Sequence, residues 1–211
     1  MSAIISLSVL TVFIPTFFLV SLTPGMCMTL AMSLGMSIGL KRTLAMMAGE
    51  LVGVAIVALS SVIGASAIML RYPEVFVMLK TIGGLYLIYI GIMMLKSKGK
   101  LALSECGASQ FSHLSNKNLA FQGFITAIAN PKGWAFFISL LPPFINNNHP
   151  ILPQIMILLS IILCLEFTCL MIYASGGSGL KKFLQKKDNV KGMNKIAGCL
   201  MCGVGIWLIF D

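Results

Sequence analysis

The chain has 211 residues, of which 58% are hydrophobic and only 10% charged, where a soluble domain of this size carries about a quarter charged residues. Hydrocarbon must therefore be the solvent for much of its surface, and because the apolar runs are continuous rather than alternating, they select helices over a closed barrel. The net charge of +9 does not mark a nucleic-acid binder, because the lysines and arginines stand between apolar runs, where a membrane protein keeps its cytoplasmic loops.

Six apolar segments follow in chain order. The first, Val9–Leu40, is too long for one straight span at 1.5 Å per residue, and Pro24-Gly25 interrupts it. Its start lacks the basic stretch of a signal peptide and the apolar run continues past any cleavage site, so it reads as part of the mature protein. Thr43–Leu70 and Val75–Leu95 complete a first three-helix repeat over residues 1–100. A cytoplasmic connection over 101–118 leads to Leu119–Ile145, interrupted at Asn130-Pro131. Ile151–Ala174 and Met193–Phe210 then complete a second repeat over 119–211. The expectation is an all-α polytopic membrane protein, one integral domain with six transmembrane helices as an inverted 3+3 repeat, helices 1 and 4 broken. Five spans are the competitor, if one broken segment is re-entrant. Nothing resembles a soluble catalytic domain, since the longest polar connection, Lys96 to Asn118, has 23 residues.

Orientation follows from the basic residues. Connections one, three and five hold twelve, among them Lys41, Arg42, Lys117, Lys182 and Lys187, while the others hold two, Arg71 and Lys80. Basic loops face the cytoplasm, so both termini face outward. The repeat shows in spacing: Pro24 and Pro131 lie 107 apart, Glu50 and Glu166 lie 116 apart, and Gly84 and Gly91 match Gly198 and Gly205 at 114. An odd number of spans per half makes such a repeat inverted. Inverted repeats, broken helices and a midplane site belong together in secondary transporters; chance similarity among apolar helices is the competing account.

The breaks are the first candidates for chemistry. Proline removes a backbone donor and frees carbonyls at membrane depth, where irregular backbone is tolerated only inside protein or beside water. The half-helix that follows begins with unpaired N–H groups and a partial positive charge, suited to a carboxylate. One such kink is more often packing than site; two at matching positions, Pro24-Gly25 and Asn130-Pro131, favour a site. Glu50 and Glu166 are the acids well inside apolar runs, and an ionised carboxylate there costs roughly 2.5–3.5 kcal/mol on insertion scales. Each must be protonated, paired or hydrated, and is either a proton carrier, a ligand for a substrate ammonium, or half of a structural ion pair. Lys132 is the lysine at membrane depth, available to a substrate carboxylate or to one of the two acids; the sequence does not choose which. Snorkelling is a long reach for its stem.

The remaining features read as structural. Gly35-xxx-Gly39 and Gly49-xxx-Gly53 let helices approach closely and permit a homodimer without demanding one. Tyr86, Tyr89, Trp134 and Tyr173 belong more often to an interface or a core than to a pathway. Cys199 and Cys202 have redox spacing and Cys27 follows the first break, but a thiolate in an apolar helix is poorly solvated and unreactive. A membrane thiol-disulfide oxidoreductase, a cation efflux protein and an uncoupled channel are the alternative functions. No metal, cofactor or nucleic-acid partner is expected.

Taken together, Thr23-Pro24-Gly25, then Gly35, Gly39 and Gly49-Glu50, then the run from Lys80 to Gly91, and in the second half Asn130-Pro131-Lys132, Trp134 to Phe137 and Leu141-Pro142 resemble the lysine exporter (LysE/RhtB) family of amino-acid efflux proteins over nearly the whole chain. The resemblance implies export of an amino acid or a close derivative, a small zwitterionic solute, from the bacterial cytoplasm across the inner membrane, driven by the proton gradient. It also implies that Pro24, Gly25, Asn130, Pro131 and Lys132 surround the central site, with Glu50 or Glu166 for the ammonium group or the coupling proton. One departure is Met26, where the family usually has a second proline after Pro-Gly; one constraint on the first break is thereby lost.

Overall fold

The computed structural model describes residues 7–97, 114–141, 144–145 and 149–210. Of the connection expected over 101–118, residues 101–113 fall outside these, as do Pro142 and residues 146–148. Among the described residues every regular element is a helix: α1 (Leu7–Leu22), α2 (Met26–Ile38), α3 (Leu40–Arg71), α4 (Pro73–Leu95), α5 (Asn116–Ile128), α6 (Pro131–Leu140), α7 (Ile151–Ser175), α8 (Gly177–Gln185) and α9 (Lys187–Phe210). Two are long and apolar enough to cross a membrane, α3 over Leu40–Gly64 and α7 over Ile151–Ser175; the pair α1–α2, bent by 56° at its break, makes a third if it is one span. Large apolar side chains face outward along these helices, with Ile63, Met78, Phe121 and Leu152 62–70% exposed, a surface that suits lipid and not water.

Both breaks fall where the sequence places them. α1 ends at Leu22 and α2 starts at Met26 after Pro24-Gly25. α5 ends at Ile128, and Pro131 takes the first position of α6, where its missing N–H is no loss and its fixed φ suits the helix. Met26 holds that same first position in α2, so the first break forms without the second proline. The short turn from α2 into α3 needs Gly39, whose φ of 79° is a conformation that side chains with a Cβ disfavour. α8 was not expected; its Leu184 is buried and its Phe183 exposed, an amphipathic helix packed against α2, α7 and α9.

Glycine decides how closely the long helices pack. α3 lies along α5, where Gly49 meets the backbone of Ala120, Gly53 meets Phe124 and Ala127, and Gly123 meets Met46 and Glu50. α7 lies along α2, Gly35 meeting the backbone of Ala174. Along α4 and α9 the register is antiparallel, with Gly84 against Gly205 and Gly91 against Gly198. Such residues let backbones approach where lipid supplies no hydrophobic drive between helices. The Gly49-xxx-Gly53 pattern is thus occupied inside the protomer, as is Gly35.

The polar ends of several helices gather at one end of the bundle. Arg42 at the start of α3 donates to the Leu114 carbonyl before α5, and Asn194 of α9 bonds Ser97 after α4 at 3.1 Å. Leu184 of α8 and Val190 of α9 pack in one cluster with Leu34 and Leu119. Lys41, Arg42, Lys96, Lys117, Lys182, Lys186, Lys187, Lys191 and Lys195 belong to these termini.

Candidate functional site

A cavity of about 60 Å³ opens between the two breaks, room for a few water molecules at roughly 10–15 Å³ each. Of the residues singled out in the sequence, Gly25, Glu50, Asn130, Lys132 and Glu166 line it. Pro24 and Pro131 set its edges by breaking the helices, without lining it. Phe17, Phe136 and Phe137 form an aromatic wall, with ring centroids 5.6 Å apart for Phe17–Phe136 and 6.0 Å for Phe17–Phe137. Nothing in the sequence set Phe17 apart from ordinary core, and Phe136 and Phe137 stood out only as part of the Trp134-to-Phe137 run. Ser21 also faces the cavity unforeseen, beside Thr23, marked only as the start of Thr23-Pro24-Gly25, and Cys27, marked only as a thiol after the break.

The carbonyls freed at the end of α1 are met by side chains from the second half of the chain. Lys132 Nζ donates to the Val20 carbonyl at 2.8 Å and to Thr23 Oγ1 at 3.2 Å. Tyr173 donates its hydroxyl to the Leu22 carbonyl at 2.8 Å, and Thr23 Oγ1 bonds back to the Val20 carbonyl. A cation at a helix C-terminus also meets the negative end of the dipole. At the end of α5, Trp134 Nε1 donates to the Ile128 carbonyl at 2.8 Å. Trp134 and Tyr173 are therefore structural donors at the two breaks, whereas Tyr86 and Tyr89 stand exposed on α4, rings 6.1 Å apart.

The two acids are placed differently. Glu50 is 0% exposed, its backbone held by the Gly123 contact and its neighbours Gly49 and Gly53 turned to α5. Neither of its carboxyl oxygens has a hydrogen bond of standard geometry; its polar neighbours are the Cys27 thiol, a weak donor, and the Glu166 carboxyl. A buried polar group without a partner is expensive, a few kcal/mol, and more if charged. Glu166 has more company: the Ser21 hydroxyl meets its carboxyl, and Lys132 lies close enough for their charges to interact. Between the two acids, Lys132 thus faces Glu166, although its direct hydrogen bonds go to neutral oxygens.

Among the described residues the thiols form no disulfide. Cys27 is buried at the cavity, Cys199 is exposed on α9, and Cys202 Sγ lies 3.7 Å from the Ile88 carbonyl of α4. Cys27, Cys164, Cys169, Cys199 and Cys202 are all free.

No solved structure matches the chain. Among curated proteins, it is 26% identical to an uncharacterized membrane protein of Vibrio cholerae over 89% of this chain and 90% of that protein. It is 27% identical to the uncharacterized membrane protein YrhP of Bacillus subtilis over 69% of this chain and 72% of that one. A homoserine/homoserine lactone efflux protein of Salmonella typhimurium is 26% identical over 90% of each chain. The model of the family described as LysE type translocator matches residues 18–211. With nine-tenths of its length matched, this chain belongs to the LysE type translocator family and is a membrane transporter, not an enzyme.

Proposed function

We propose that the protein is a secondary transporter that exports an amino acid or amino-acid derivative from the bacterial cytoplasm across the inner membrane, by proton antiport with alternating access. The observation that carries this reading is the meeting of both helix breaks and both membrane-depth acids at one cavity. A relative named for efflux of homoserine and its lactone supports the substrate class. An ammonium group is common to those two solutes, and the cavity offers two carboxyl groups to receive it. One acid then holds the solute while the other can carry a proton the opposite way, which is the minimum equipment for antiport.

The architecture in this reading is six spans in two inverted halves, α1–α2, α3 and α4 against α5–α6, α7 and α9. Two features support it. The second helix of each half packs against the broken pair of the other, α3 against α5 and α6 and α7 against α1 and α2. A two-fold axis that exchanges Gly84 with Gly198 and Gly91 with Gly205 also turns the Gly84–Gly205 contact into the Gly91–Gly198 contact. The basic end of the bundle lies in the cytoplasm, with both termini in the periplasm, as the positive-inside rule requires. Rocking of the halves about the cavity then exposes it alternately to the two sides.

Amino-acid efflux from dipeptide-loaded cells, followed by mass spectrometry of the medium, tests the function. Expression should speed release of at least one amino acid, and Glu50→Gln or Glu166→Gln, present in the membrane at normal level, should abolish that gain. Release unchanged for every amino acid would reject the proposal.

A further inference from the structure

The two half-helices begin differently, and the difference falls on the cavity. At the second break Asn130 closes α6: its Oδ1 accepts from the Lys132 N–H at 3.1 Å and its carbonyl from Gly133 and Trp134 at 3.1 and 3.3 Å. Pro131 has no N–H to satisfy. At the first break the corresponding cap position is Gly25, which has no side chain to offer. The Thr29 N–H reaches the Gly25 carbonyl at 2.9 Å, but no acceptor among the described residues meets the N–H groups of Met26, Cys27 or Met28. Gly25, Cys27 and Met28 line the cavity together with Glu50, whose two buried oxygens have no hydrogen bond of standard geometry and only the weak Cys27 thiol beside them as a donor. One cavity therefore holds unfilled donors and an unfilled acid. Their common complement is a small molecule with an ammonium group and, a few atoms away, a carbonyl oxygen.

Resting on the exporter reading above, we infer that the solute is held by its ammonium on Glu50 and by its C1 carbonyl oxygen on the open first turn of α2, and that Lys132 is not a ligand. The Lys132 ammonium is already engaged by the Val20 carbonyl and Thr23 Oγ1, with Glu166 beyond. Its work is to hold the broken end of α1. Neutral backbone donors receive an ester carbonyl as well as a carboxylate oxygen, whereas a lysine ligand would demand the negative charge. The ammonium group is then what the site selects for, and the carboxylate can be cyclised or esterified without losing the solute.

Inside-out membrane vesicles taking up radiolabelled L-homoserine provide the test, with unlabelled L-homoserine, its lactone and N-acetyl-L-homoserine as competitors. The lactone should compete within about three-fold of homoserine, and the acetylated compound at least about 10-fold worse, the scale of a lost charge-assisted hydrogen bond. Gly25→Asn gives α2 the side-chain cap that α6 has; a Cβ there meets only the Thr23 carbonyl oxygen, at 3.9 Å. This variant should melt no lower than wild type yet lose at least about 10-fold in apparent affinity, because its own side chain fills the donors. Gly25→Ala, which adds bulk without an acceptor, should lose less. A lactone more than ten times weaker than homoserine, an acetylated competitor equal to it, or Gly25→Asn binding like wild type would overturn the inference while leaving the exporter standing. Saturable uptake of none of the three compounds would contradict the exporter reading itself.

Discussion

Replacing Gly53 by alanine tests whether the α3–α5 seam positions the cavity. A Cβ at Gly53 would stand 2.7 Å from the Ala127 Cβ and 2.9 Å from the Phe124 carbonyl oxygen. Carbon atoms pack best at about 3.5–4.0 Å, so the helices must part by about 0.8 Å, enough to forfeit a quarter or more of each contact along the seam. Overpacking of this kind costs about 1–3 kcal/mol, and the gain of about 0.5–1 kcal/mol from replacing glycine within a helix offsets part of it. The net loss, at most about 2.5 kcal/mol, corresponds to a fall of up to about 10 °C in melting temperature for a chain of this size. Gly64 lies on the same helix with nothing within 4 Å of its Cβ position, and Gly64→Ala should instead raise the melting temperature by about 1–4 °C. Melting in detergent can be followed by a maleimide dye as Cys27 and Cys169, 4% and 0% exposed, become accessible. Transport should fall with stability in Gly53→Ala alone, because Gly53 stands one turn from Glu50 and its contact Ala127 lines the cavity. If both variants shift alike, or Gly53→Ala melts at or above wild type, the seam does not hold these helices as described.

Lys132→Met removes a charged donor from the Val20 carbonyl, which keeps the Thr23 N–H and hydroxyl, and from Thr23 Oγ1, and should lower the melting temperature by about 3–12 °C, from about 1.5–3 kcal/mol for lost hydrogen bonds to a charged group. An unchanged melting curve would mean that Lys132 does not secure the end of α1. A variant with all six cysteines replaced by alanine or serine should still transport; loss of transport in correctly inserted protein would restore a thiol mechanism. Cysteines introduced at Lys182 and Lys186, on and just after α8, should react with an impermeant maleimide in inside-out vesicles and not in intact cells, and the reverse pattern would invert the orientation.

The breaks and the acids were legible because each violates a strong rule. A proline after a long apolar run or a carboxyl group inside one has few explanations at membrane depth, and spacing alone pairs Pro24 with Pro131 and Glu50 with Glu166. Gly49-xxx-Gly53 was legible as packing for the same kind of reason. What tertiary contacts decide was not. Phe17, Phe136 and Phe137 look like any core residues until α1 and α6 bring their rings together. Lys132 had two acids to choose from, and its direct bonds go to the Val20 carbonyl and Thr23. α8 was hidden in a basic connection, because nine residues with Leu184 turned inward give too short a pattern to separate from a loop. Asn130 and Gly25 were both visible at the breaks, but only backbone geometry shows that one caps its helix and the other leaves it open. Met26, the departure from the family pattern, adds one N–H to that open turn where proline would have none.

Uphill transport in proteoliposomes tests the central claim most directly. Purified protein is reconstituted with equal L-homoserine on both sides, a pH difference is imposed across the membrane, and the internal amino acid is measured with time. Proton antiport predicts transient movement of L-homoserine against its gradient, toward the more acidic side, reversing when the pH difference is reversed and absent in both Glu50→Gln and Glu166→Gln. Movement that only equalises concentrations, whatever the pH difference, would contradict coupled export and leave a facilitator in its place.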